Sequence, residues 1–100
     1  MHIQVLHVEN CPHLSITIET LKQALQELNI ESEIEKIVIK DQKDAEKFRF
    51  LGSTSVRINN IDIDPIETKQ FLLAWRIYNY KGKIYDYPPL ELIKKALKSF

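Results

Sequence analysis

The sequence is poor in residues that punctuate or staple a chain. It has two glycines, four prolines and one cysteine in 100 residues. So few glycines and prolines argue against a long flexible linker or a low-complexity tract. One cysteine cannot close an internal disulfide, which removes the main fingerprint of a small secreted scaffold. Net charge is missing too, because 14 basic and 14 acidic side chains cancel. With no basic run, neither nucleic acid nor a membrane surface is expected as a partner. The longest apolar run, Phe71 to Trp75, is far too short to span a membrane. Met1-His2-Ile3-Gln4 shows none of the basic, apolar and small-residue pattern of a secretory signal. The expectation is a cytoplasmic protein with a single domain over residues 1–100.

Regular patterning fills most of the chain. Ile3 to Val8 reads as a mostly buried strand. Asn10 or Cys11 is placed to cap the next helix, and Pro12 suits a first turn, where its missing N–H has no intrahelical partner. Leu14, Ile18, Leu21, Leu25 and Leu28 recur at four- and three-residue steps, the strongest helix signal present. Ile34 to Ile39 is a second strand, rich in β-branched residues. Asp41 or Asp44 starts a short helix that carries Ala45, Phe48 and Leu51 inward and ends at Gly52. Val56-Arg57-Ile58, Asn59-Asn60 and Ile61-Asp62-Ile63 read as a hairpin around two residues that tolerate positive φ. Arg76 to Tyr87 alternates aromatics around Lys81-Gly82-Lys83 and suggests a second hairpin. Pro88-Pro89 opens a last helix with Leu90, Ile93, Leu97 and Phe100 on one face.

The tetrapeptide Cys11-Pro12-His13-Leu14 concentrates the chemistry. It holds the only cysteine, and His2, His7 and His13 all lie near it. A thiol at a strand-to-helix junction meets free N–H groups and a favourable helix dipole, which promote the nucleophilic thiolate. Protonated His13 would act in the same direction. The element order, β-α-β-α-β-β, an aromatic insertion, then α, implies an α/β fold. Its first two strands are parallel and its hairpin is antiparallel, giving one mixed central sheet.

On these residues the chain resembles a small thioredoxin-like family of bacterial and archaeal proteins, over nearly its whole length. The family pattern is an opening strand, a Gly-Cys-Pro turn, a Leu-Gly-Ser-Pro-Thr-like loop, a Cys-Arg-x-Tyr segment and a Pro-Pro pair. This chain shows Asn10-Cys11-Pro12, Leu51-Gly52-Ser53-Thr54-Ser55, Trp75-Arg76-Ile77-Tyr78 and Pro88-Pro89. The resemblance implies a three-layer thioredoxin-like fold with the loop around Thr54 facing the thiol. It implies Cys11 and His13 as catalytic residues, and Asn10, Pro12, Ser53 and Thr54 as substrate-binding ones. Three departures stand out. Leu14 replaces the second thiol of a Cys-x-x-Cys pair, Trp75 stands where the family often carries another cysteine, and Thr54 replaces a cis-proline. A trans bond is expected before Thr54, because cis costs about 2.5–4 kcal/mol at a non-proline residue.

The implied activity is monothiol disulfide exchange. Cys11 attacks a protein or small-molecule disulfide, keeps one half as a mixed disulfide and releases the other as a thiol, and glutathione serves as co-substrate thiol to free Cys11, with no other cofactor. The competing reading is a non-catalytic thioredoxin-fold module that binds a protein partner. A third is soft-metal binding through Cys11 and His13, with His7 as a further ligand. Four ligands in recognisable spacing are absent, so no metal site is assigned. Tyr78, Tyr80, Tyr85 and Tyr87 form an aromatic stripe that either packs on the fold or serves a protein partner or homodimer. The grouped acids Asp62, Asp64 and Glu67 are read as a hairpin end.

Overall fold

The protein is described over residues 1–100 by a computed structural model. β1 (Ile3–Val8) leads into α1 (Leu14–Glu27), then β2 (Ile34–Ile39) and α2 (Gln42–Lys47). β3 (Ser55–Ile58) and β4 (Ile61–Asp62) follow, then β5 (Tyr78–Tyr80), β6 (Lys83–Tyr85) and α3 (Leu90–Lys98). The order in the main sheet is β2-β1-β3-β4. β1 and β2 run parallel from Ile3↔Ile34 to Val8↔Ile39. β3 lies antiparallel to β1, from Ile3↔Ile58 to Leu6↔Ser55, and β4 antiparallel to β3. The architecture is therefore α/β, with a mixed four-stranded sheet and three helices. No helix is long and apolar enough to cross a membrane.

Successive side chains of a strand point to opposite faces, so β1 feeds two cores. Ile3 and Val5 pack with Leu21, Ala24 and Leu25 of α1, Val56 and Ile58 of β3, and Ile93 and Leu97 of α3. Leu6 packs instead with Ile39 of β2, Ala45 of α2 and Phe50. Thus α1 and α3 share one face of the sheet and α2 covers the other. The α1 stripe reads as the periodicity requires. Leu21 is fully buried, and Leu14, Ile18 and Leu28 pack at the margin of the same core. Lys94 adds a surface tie between α3 and α1, with Nζ 2.9 Å from Glu27 Oε1.

Asn59 and Asn60 both take positive φ, 52° and 67°. That is the conformation a two-residue hairpin turn requires, and it sets the register of β3 against β4. Lys81 and Gly82 do the same between β5 and β6, which pair only with each other. Two helix C-terminal ends differ from the sequence expectation. α2 is capped by Asp41, whose carboxylate accepts the Asp44 N–H at 2.8 Å, but it stops at Phe48 because Arg49 turns to φ 53°. The reversal therefore comes before Gly52 and sends Phe50, not Leu51, into the core. Phe100 lies beyond Ser99, the C-cap of α3, and is exposed rather than continuing the apolar face.

Candidate functional site

The site is built where β1 ends. Asn10 takes φ 55°, a left-handed conformation that asparagine tolerates, and turns the chain off the strand. The Leu14 N–H then donates to the Cys11 carbonyl at 3.3 Å, closing a turn over Cys11-Pro12-His13-Leu14. α1 begins only at Leu14. Its N-cap is His13, with no side-chain capping bond. Neither Asn10 nor Cys11 is the cap, and Pro12 precedes the helix instead of occupying its first turn. The turn absorbs the residues that sequence reasoning gave to the helix. Cys11 is half-buried and Pro12 exposed.

The thiol is met from across the sheet. The Ser53 hydroxyl donates to Cys11 Sγ at 3.0 Å and accepts the Val8 N–H at 3.1 Å. One buried hydroxyl thus ties the end of β1 to the sulfur. Ser53 is itself held by its backbone. Its N–H donates to the Ala74 carbonyl at 2.8 Å, and its carbonyl accepts the Arg76 N–H at 3.0 Å. Residues 74–76 therefore run as a short strap parallel to Ser53. Gly52 makes room for it. At φ 111°, a Cβ on Gly52 would lie 2.8 Å from Arg76 Cβ.

Thr54 is fully buried. Its Oγ1 lies 2.8 Å from Thr17 Oγ1, and its carbonyl accepts the Tyr78 hydroxyl at 2.6 Å. The Ser53–Thr54 peptide bond is cis, contrary to the trans expectation. That expectation weighed local cost alone. The strap, Thr17 and Tyr78 hold the segment from three sides, and none of these contacts is local in sequence.

Arg76 anchors the strap. Its guanidinium makes two hydrogen bonds to the Asp62 carboxylate, at 2.7 and 2.9 Å. It also donates to Ser55 Oγ and the Asp64 carbonyl, and stacks 4.5 Å from the Tyr78 ring centroid. Burial works against the Arg76 charge. Hydrogen bonds to Asp62, with the charges around it, more than offset this and raise its proton affinity. Burial likewise holds the Tyr78 phenol well above its ordinary range, although Arg76 pulls the other way.

His13 does not hydrogen-bond to Cys11. Its Nε2 lies 3.3 Å from Asp86 Oδ2, its ring meets Trp75 edge-on at 5.9 Å, and its Nδ1 is buried without a partner. No protein-family model, curated protein or solved structure matches this chain. The other histidines go elsewhere. His7 Nδ1 lies 2.8 Å from the Val8 carbonyl, and His2 pairs with Glu35. Nowhere do three His, Cys, Asp or Glu side chains come together as a metal would need.

Of the residues singled out from sequence, Cys11 and Ser53 are in direct contact, and His13 stands beside them facing Asp86. Asn10 and Pro12 shape the turn. Asp86 and the strap were not anticipated. No spacing rule joins Asp86 to His13, and a charged residue such as Arg76 reads as surface until its buried partner Asp62 is known. The aromatic stripe resolves by parity. Tyr78 is fully buried, Tyr80, Tyr85 and Tyr87 are half-buried, and Ile77 and Ile84 point outward.

Proposed function

We propose that this is a thioredoxin-like protein whose Cys11 performs monothiol disulfide exchange. The observation that carries the reading is the Ser53 hydroxyl donating to Cys11 Sγ at 3.0 Å. That contact holds the sulfur in one place at the end of β1. The contact joins the segment before β3 to the thiol turn, which supports this reading. The layout of one mixed sheet, with helices on both faces and the cysteine just past β1, agrees with such a fold.

Cys11 acts as the nucleophile. Its thiolate attacks one sulfur of a disulfide, a new sulfur–sulfur bond forms, and the old one breaks. The departing sulfur leaves as a thiolate and takes a proton from solvent. Leu14 carries no thiol, so the mixed disulfide persists until an external thiol attacks it and restores Cys11. Glutathione is the small thiol this reading requires. Ser53 orients the sulfur.

The test is intact-mass analysis after exposure to glutathione disulfide. One glutathione should add per chain, at Cys11, and excess reduced glutathione should remove it. Ser53→Ala should slow adduct formation without unfolding the protein. A folded wild-type chain that takes up no glutathione would move the assignment to a non-catalytic binding module.

A further inference from the structure

A cleft lies between α1, the β5–β6 hairpin and the start of α3, and neither Cys11 nor Ser53 lines it. It encloses about 580 Å³, within the size range of small-molecule sites. Tyr80, Tyr85 and Tyr87 line it together with Lys81, Lys83 and Glu91. The rings of Tyr85 and Tyr87 meet edge-on at 6.4 Å. Tyr78 is the one tyrosine whose hydroxyl finds a hydrogen-bond partner in the protein. The three tyrosines of the cleft thus offer half-buried ring surface and uncommitted hydroxyls.

The lining of this cleft carries two lysines against one acid. None of the five ion pairs in the molecule uses Lys81 or Lys83. Asp86 reaches His13 at 3.3 Å, and Glu91 stays on the cleft wall, because the Lys94 that lies 3.8 Å from it is held by Glu27 at 2.9 Å. Lys81 lies over the Tyr80 ring at 5.5 Å, so two ammonium groups outside any ion pair, against the one acid Glu91, sit beside three phenol rings as a locally cationic, aromatic surface. Ring faces take flat π-systems, and free ammonium groups take anions.

We infer that this cleft binds a small aromatic or heteroaromatic anion, with the ring against Tyr85 and Tyr87 and its phosphate or carboxylate at Lys81 and Lys83. The inference does not depend on the reactivity of Cys11.

Adenosine monophosphate and naphthoate are suitable probes, with adenosine and inorganic phosphate as controls that keep only the ring or only the charge. Binding is followed by amide chemical-shift changes on the whole chain. Both ring-bearing anions should bind more tightly than either control and shift the amides of residues 80–87. Combining Lys81→Gln and Lys83→Gln should weaken them about tenfold, the value of a lost charge-assisted contact. Tyr85→Leu should weaken them as well. Added salt should reduce affinity, and Cys11→Ser should bind as wild type. The proposal is overturned if neither anion binds at millimolar concentration or if the lysine substitutions leave affinity unchanged. Preference for an uncharged proline-rich peptide over both anions would also overturn it.

Discussion

Ser53 is a small residue with an unusually wide reach. Its hydroxyl joins Val8 to Cys11, and its backbone joins the strap. Tyr78 supports the same loop from below through the Thr54 carbonyl. That phenol yields a prediction with a definite sign. Its folded-state pKa is raised by burial, so the neutral form is favoured in the folded protein. The associated stability is fully present below the unfolded tyrosine value, about 10. It is lost as pH rises through that value toward the folded one, because only the unfolded state releases the proton readily. The thermal unfolding midpoint of wild type should therefore fall progressively in alkali. Tyr78→Phe should flatten this alkaline dependence, at the cost of about 0.5–1.5 kcal/mol for the lost hydrogen bond at neutral pH. Equal alkaline slopes for the two proteins would show that the phenol does not stay neutral in the fold. Residue-scale partners of this kind were the least legible in the sequence. The thiol and its flanking residues announce themselves by type. The Ser53 contact, the Asp86 partner of His13 and the buried Arg76–Asp62 pair depend on chain segments that only folding brings together.

At the scale of elements, legibility followed pattern strength. The α1 stripe, the β-branched second strand and the Asn59-Asn60 turn each carry a local cause, and each appears where that cause puts it. The end of α2 was misplaced because a left-handed Arg49 has no strong sequence signal, whereas Gly52 does. The strap was missed because its backbone partner is a single buried serine, and one bridge leaves no periodicity. The start of α1 shows the same limit. A turn over residues 11–14 replaced the expected first helical turn. That turn leads to a further prediction. The residues at the ends of a β-turn approach within about 7 Å at Cα, which reaches the range a disulfide spans. Leu14→Cys should therefore form an internal bridge with Cys11 under mild oxidation. A thiol assay that finds two free cysteines in the oxidised variant would contradict the geometry of the turn.

Over the whole molecule, the two cores decide what the site rests on. β1 contributes to both, with Ile3 and Val5 on one face and Leu6 on the other, and it ends three residues before the thiol. Alternation within the strands and the helical stripe made the α/β layout readable from the sequence. Which helix covers which face required the sheet order. Leu21 lies fully buried at the centre of the larger core. Leu21→Ala should destabilise the fold by about 2–5 kcal/mol, read as a lower urea midpoint with little change in slope. An unchanged midpoint would show that α1 does not hold the larger core together.

The central claim is that the folded arrangement around Cys11 makes its sulfur a better nucleophile than the chain alone would. The most direct measurement compares the rate of mixed-disulfide formation with glutathione disulfide in the folded protein and in the denaturant-unfolded chain, at one pH. The account predicts faster reaction in the folded protein, with part of the advantage lost in Ser53→Ala. A folded-state rate equal to or below that of the unfolded chain would contradict it.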